Sequence, residues 1–123
     1  MKMENNKQNN QLSTNLYSDG DLTIIEIAGY LDAHTAISLE QFIGREIEKG
    51  NFRFIIDFAG LEYISSAGLG VFMSHIEAVR KKDGDIKMCK MQDKVYSIFD
   101  LLGFHVLYDI CKEMDEAKDK FNN

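Results

Sequence analysis

The sequence predicts an α/β domain in which a mixed sheet of four to five strands packs against about four helices. Apolar runs with strand periodicity alternate with runs of helical periodicity along most of the chain. Asp19-Gly20, between two alternating runs, predicts an opening β-hairpin. The 123 residues, 45% of them apolar, suffice for one domain with one core. We therefore expect residues 12–123 to form a single domain after a polar, disordered tail at residues 1–11.

The first half of the domain is predicted as the hairpin followed by a helix. Leu12 to Tyr17 and Leu22 to Ala28 alternate as strands do. Gly29-Tyr30-Leu31-Asp32 is expected to end the second strand, and Asp32 or Thr35 is placed to cap the helix that follows. The apolar positions of that helix recur at helical spacing up to the terminating Gly50: Ala36, Leu39, Phe42, Ile43 and Ile47.

The centre of the chain is predicted as a buried strand, a turn and a second helix. Phe54-Ile55-Ile56 is typical of a strand covered on both faces, and Ala59-Gly60 is expected to break it. Ser65 and Ser66 follow, and helical spacing begins at Leu69. The serines therefore lie at or beside a helix N-cap, where a serine oxygen accepts a hydrogen bond from an unpaired N–H. They either cap the helix only, or also present a hydroxyl on which the positive helix end tolerates a phosphate.

The last third is predicted as a half-exposed strand from Asp85 to Met91, a short helix that ends at Gly103, an edge strand from Val106 to Ile110, and a covering helix from Lys112 to Phe121. Strands joined by helices are parallel, so their carboxyl ends meet at one edge of the sheet. Asp32 and the two serines follow strand ends. If those strands are neighbours, one edge of the domain carries all three residues.

Charge and motifs exclude several classes of function. Fourteen basic against twenty acidic residues give a formal charge of −6, which argues against a nucleic-acid partner. The chain lacks a nucleophile elbow, a complete phosphate-binding loop and metal-ligand spacing, so we predict no enzyme, no cofactor and no metal site. Cys89 and Cys111 show no CxxC spacing, and we find neither a signal peptide nor a membrane span. We expect a cytoplasmic protein.

Three segments resemble the STAS domain family, in particular its bacterial anti-sigma-factor antagonists. The string from Ile56 to Val71, which includes Ser65-Ser66-Ala67-Gly68-Leu69-Gly70, resembles the family signature. Gly29-Tyr30-Leu31-Asp32-Ala33 and the segment from Ile98 to Phe104 resemble two further family segments. Together the resemblance covers about Leu12 to Phe121 and implies the STAS fold.

The resemblance implies an anti-anti-sigma factor, a protein-interaction module that phosphorylation regulates. Its implied partners are an anti-sigma factor that is a serine kinase of the histidine-kinase-like ATPase fold, and a serine phosphatase. Carried onto this sequence, the phosphoacceptor is Ser66, with Ser65 as a minor alternative where regulatory members usually carry Asp. The implied partner-binding residues are Asp32, Ser65, Ser66, Ala67 and Gly68.

Two other interpretations stay open. In the first, the chain is an accessory or ligand-binding STAS subunit of a transporter or another signalling complex, the serine is only a cap, and phosphorylation switches nothing. In the second, the chain is a structural module within a larger sensory complex. Genomic neighbourhood distinguishes the accessory subunit from a partner switch, because kinase and phosphatase genes accompany a partner switch whereas permease and ATPase genes accompany a transporter.

Overall fold

The computed structural model describes residues 4–9 and 11–122 of the chain. The strands are β1 (Glu4–Asn9), β2 (Leu12–Asp19), β3 (Leu22–Leu31), β4 (Arg53–Ile64), β5 (Asp85–Cys89) and β6 (Ile110–Cys111). The helices are α1 (Ala33–Glu48), α2 (Ser66–Arg80), α3 (Asp93–Leu101) and α4 (Met114–Phe121), and a 3-10 helix spans Phe104–Val106. The strands follow one another across the sheet in chain order. β1, β2 and β3 pair antiparallel and β3 to β6 pair parallel, which confirms the mixed sheet, the four helices and the opening hairpin.

The sheet has six strands among the described residues instead of four to five, because Glu4–Asn9 pairs with β2. The prediction of a disordered tail over residues 1–11 is therefore wrong for residues 4–9, while residues 1–3 and 10 lie outside the described residues. Apolar periodicity gave no signal for β1, because an edge strand is held by backbone hydrogen bonds that any sequence can make.

The last strand is also placed differently from the prediction. The expected strand from Val106 to Ile110 is largely the end of the 3-10 helix and a turn, and β6 is only Ile110–Cys111. The Met88 N–H donates to the Asp109 carbonyl at 2.9 Å, so pairing with β5 begins where the turn ends. A two-residue strand is too short to produce a recognisable alternation.

β4 continues through the predicted break at Ala59-Gly60 and ends at Ile64. The register between β3 and β4 shifts just before the pair Ala28–Gly60. A Cβ atom on Gly60 would lie 2.7 Å from the Cβ atom of Ala28, so only glycine fits this close approach without a shift. A second shift follows between Gly29 and Tyr30, after which Leu31 pairs with Ile64 and β3 and β4 end together.

The core lies on both faces of the sheet. α1, α2 and α3 cover one face, where the larger cluster includes four fully buried phenylalanines: Phe54, Phe58, Phe72 and Phe99. α4 covers part of the other face over a smaller cluster that contains both cysteines: Leu22, Ile24, Ile55, Cys89, Cys111 and Ala117. Because α1 follows β3 and α2 follows β4, both helices begin at the carboxyl ends of these neighbouring parallel strands.

Candidate functional site

The turns after β3 and β4 are joined directly to each other. The Ser65 N–H donates a hydrogen bond to the Leu31 carbonyl at 2.9 Å. Asp32, which follows Leu31, and Ser66, which follows Ser65, therefore stand at the same edge of the sheet. The geometry brings together the residues that the sequence predicted to share one edge.

Asp32 is the N-cap of α1 and forms a capping box with Thr35. Its Oδ1 accepts hydrogen bonds from the His34 N–H at 2.9 Å and the Thr35 N–H at 3.1 Å. In return the Asp32 N–H donates to Thr35 Oγ1 at 2.9 Å, and this hydroxyl donates to the Tyr30 carbonyl at 2.8 Å. The hydrogen bond from the Thr35 N–H, followed by that from the His34 N–H, holds the pKa of Asp32 below its ordinary value. Asp32 is thus a fixed, half-buried carboxylate.

Ser65 is the N-cap of α2, and Ser66 is the first residue of the helix. The Ser65 side chain accepts a hydrogen bond from the Gly68 N–H at 3.3 Å and is half-buried. Ser66 is exposed, and within the described residues its hydroxyl has no hydrogen-bond partner. The two serines therefore differ, since Ser65 is committed to the cap and Ser66 is presented to solvent.

Ala67 and Gly68 have opposite positions although they are adjacent. Ala67 is exposed and Gly68 is buried. A Cβ atom on Gly68 would lie 2.8 Å from Leu31 Cγ and 2.9 Å from Ile64 Cγ1. Because it has no side chain, Gly68 allows the start of α2 to pack directly on the ends of β3 and β4. Beside it lie the exposed Ser66 and Ala67 and the half-buried Asp32 and Ser65, and we call these four residues the serine edge.

Two tyrosines that no sequence motif singles out lie beside the serine edge. Tyr30 and Tyr63 are register partners on β3 and β4, 47% and 46% exposed, with ring centroids 6.0 Å apart. Each lies within three residues of a predicted site residue, and this proximity is the one indication in the sequence that the tyrosines belong to the same surface. Aromatic side chains of this exposure are typical of protein-interaction surfaces.

Three further observations concern metal binding, membrane spans and thiol chemistry among the described residues. Residues 4–9 and 11–122 contain no group of three His, Cys, Asp or Glu side chains that could hold a metal ion. Within the same ranges, no helix is both long and apolar enough to cross a bilayer. Burial raises the pKa of Cys89 to about 12, so this thiol stays protonated at neutral pH.

The fold and the serine edge define a class of protein-interaction domains rather than enzymes. The chain belongs to the STAS domain family, whose family model matches residues 13–117. This match confirms the family that the sequence motifs resemble.

Known proteins of similar sequence or structure support this assignment. The chain is 26% identical over 92 residues to the anti-sigma-B factor antagonist of Listeria monocytogenes, a match that covers 75% of this chain and 81% of that protein. The fold resembles the crystal structure of an anti-sigma factor antagonist from Mycobacterium paratuberculosis, with a TM-score of 0.79 at 19% identity, covering 91% and 95% of the two chains. It also resembles the Bacillus cell-fate determinant SpoIIAA in its phosphorylated form, with a TM-score of 0.68 at 19% identity, covering 87% and 97%.

Proposed function

We propose that this protein is an anti-anti-sigma factor that works by partner switching. When unphosphorylated, it binds an anti-sigma factor that is a serine kinase of the histidine-kinase-like ATPase fold, and it is released when that kinase phosphorylates Ser66. A serine phosphatase restores the binding form. The observation that carries the proposal is the exposed Ser66 hydroxyl at the start of α2. Because Ser65 is the N-cap of the helix, the Ser66 hydroxyl is not used for capping and is available for phosphorylation.

Two of the similar proteins support the proposal. The Listeria monocytogenes relative is named an anti-sigma-B factor antagonist. SpoIIAA, which shares the fold, has been solved in a phosphorylated form. Serine in place of the usual Asp at position 65 keeps the cap, because Ser65 still accepts the Gly68 N–H. It removes one negative charge beside the acceptor, so kinase selectivity is where we expect this chain to differ.

The switch can be stated in charges. A phosphate on Ser66 adds about −1.5 to −2 charges to a surface that already carries Asp32 and Glu62. The free domain tolerates this group, because Ser66 is exposed at the positive end of α2. A docked partner would have to bury the dianion against groups arranged for a neutral hydroxyl. A loss of roughly 3 kcal/mol of binding free energy weakens a complex by more than a hundredfold, which is enough to exchange partners.

Phosphorylation assays with purified kinases test the assignment. Each serine kinase of this ATPase fold encoded in the source genome is incubated with ATP and the chain, and intact mass and peptide mass spectra locate the phosphate. We expect one phosphate on Ser66, none on Ser66→Ala, and unchanged modification of Ser65→Ala. Full phosphorylation of Ser66→Ala would refute Ser66 as the acceptor and favour Ser65.

Binding measurements test the switch separately from the chemistry. Ser66→Ala is expected to bind the kinase as the unphosphorylated chain does, and the phosphorylated chain to bind at least a hundredfold more weakly. Equal affinity of the two forms would refute partner switching even if Ser66 is the acceptor. It would favour a STAS subunit in which the serine is only a cap.

A further inference from the structure

Three glycines lie inside the two helices that meet beside the serine edge, and the structure explains them differently. Glycine in a helix interior is less favourable than alanine, so each position calls for a physical reason. Gly68 has one, because a Cβ atom would collide with the ends of β3 and β4. A Cβ atom on Gly44 would make an ordinary contact, 3.7 Å from His75 Cε1. A Cβ atom on Gly70 would have no neighbour within 4 Å. Nothing in the described fold requires glycine at position 70.

Gly70 lies on the same stripe of α2 as the acceptor. Residues four apart are neighbours on a helix surface, so Gly70 follows Ser66 by one turn, and Met73 continues the stripe. Met73 is 51% exposed. The acceptor, an open glycine and an exposed apolar side chain thus succeed one another along one face.

The neighbouring helix adds a second apolar wall. Ser74 Oγ donates to Glu40 Oε2 at 3.2 Å, and His75 Nε2 lies 3.1 Å from the Glu40 carbonyl oxygen, which places Glu40 of α1 opposite this turn of α2. The helices run in the same direction, since each follows one of two parallel strands. Ile37, about one turn before Glu40 and 61% exposed, is therefore level with Gly70. Ile37, Gly70 and Met73 form what we call the glycine notch.

The charge around the notch has one sign. Residues 33–44 and 54–79, which include the notch and the serines, contain no Lys or Arg. Two exposed acidic residues lie close to it: Glu40 accepts a hydrogen bond from Ser74 Oγ, and Glu77 follows Met73 by one turn of α2. An apolar notch with a carboxylate rim complements a partner that presents an apolar side chain flanked by Lys or Arg.

We propose that the glycine notch is where the serine kinase docks, and that Gly70 is kept free of a side chain so that the kinase approaches α2 closely beside Ser66. The inference rests on the proposed function, whose acceptor lies one turn away. It adds the docking surface and the chemistry of the partner: an apolar side chain seated over Gly70 between Ile37 and Met73, with basic residues facing the carboxylate rim. Adding a methyl group at Gly70 would then obstruct the complex without harming the free domain.

Gly70→Ala is compared with the matched control Gly44→Ala, using the purified kinase that phosphorylates the chain. Both substitutions are expected to raise the melting temperature of the free domain by roughly 2–6 °C, because alanine is the better helix former. Only Gly70→Ala should weaken kinase binding, by roughly tenfold or more. Unchanged kinase affinity of Gly70→Ala would overturn the proposal. So would an equal loss for both variants, because that loss would not be specific to the glycine notch.

A second pair of variants tests the apolar side chains of the notch, and the salt dependence of binding tests its surrounding carboxylates. Met73→Lys is expected to weaken the complex at least tenfold, while Leu101→Lys, at an 85% exposed position on α3, should leave it unchanged. Affinity should fall as salt rises, because the rim is acidic and the partner basic. Equal effects of the two lysine variants, or affinity that is independent of salt, would overturn the proposed docking surface.

The phosphorylated chain in the same assay separates the two proposals. If it binds weakly while Gly70→Ala binds like wild type, the switch survives and the notch is refuted. If it binds like wild type, the proposed function itself fails. Sedimentation of the chain alone tests whether a second copy of the chain occupies the notch instead. A dimer that Gly70→Ala dissociates would assign the notch to that second copy and refute the kinase as its ligand.

Discussion

A negative charge at position 66 is expected to leave the domain folded, and Ser66→Glu tests this without a kinase. The substitution places a carboxylate on the first residue of α2, where the helix end contributes about 0.3–1 kcal/mol of stabilisation. The Asp32 carboxylate of the serine edge opposes it. Two unit charges ~8 Å apart in water repel by about 0.5 kcal/mol, and salt reduces this further. The terms are of similar size and opposite sign, so the free energy of unfolding should change by less than about 1 kcal/mol.

Urea denaturation followed by circular dichroism measures this difference. Leu69→Ala, three residues further along α2, is the reference for a substitution that does disrupt the fold. Leu69 is 4% exposed, and its truncation should lower the free energy of unfolding by about 2–5 kcal/mol. The slope of the transition should be unchanged for Ser66→Glu, because the same surface is exposed on unfolding.

A loss of more than about 2 kcal/mol in Ser66→Glu would refute the reasoning. It would mean that the edge rejects a charge on its own, and weakened partner binding would then report unfolding rather than switching. A smaller loss that disappears at high salt would leave the reasoning intact and identify the neighbouring carboxylate as the opposing term.

Three further predictions concern the supports of the site and the opposite face of the sheet. Asp32→Ala should lower the melting temperature, since two N–H groups lose their acceptor. Because these hydrogen bonds hold the folded-state pKa of Asp32 below its ordinary value, its charge stabilises the fold at neutral pH, and the difference between the proteins should shrink as acid protonates the carboxylate. Lys87→Met should cost about 1–3 kcal/mol in urea, because a buried ammonium 2.7 Å from Asp109 is lost. Lys118→Met removes a half-buried ammonium paired with the exposed Asp19 and should cost less than about 1 kcal/mol, and equal losses would contradict the role of burial. Cys89 should react with a thiol reagent at neutral pH only in denaturant, and rapid labelling of the native protein would show that α4 does not protect it.

Local rules were sufficient to predict the helix starts. Asp32 and Thr35 were alternative caps in the sequence, and the structure uses both, because a capping box needs one residue at the N-cap and the other three positions on. Ser65 was placed at or beside the second N-cap for the same reason, and it is the cap itself. Such contacts involve residues three or four apart, so sequence alone contains the information.

Properties that depend on distant chain segments were harder to predict. Gly68 was grouped with the partner-binding residues, but its burial follows from Leu31 and Ile64, which contact it from two strands. β1 was missed because pairing at a sheet edge needs no apolar pattern. Gly70 and Gly68 look alike in the sequence, and only the surroundings of their missing side chains distinguish them.

The position of the serine edge depends on a strand register that no apolar pattern specifies. Gly60 was interpreted as the end of a strand, yet it lies within β4 at the shift in register, where its missing side chain admits Ala28. The shift matters because, together with a second shift between Gly29 and Tyr30, it brings Leu31 opposite Ile64, so that the two strands end level. Without it the ends would be offset by about one residue, or ~3.3 Å, and Asp32 and Ser66 would no longer be held side by side. A glycine six residues before the acceptor thus helps to determine where the acceptor is presented.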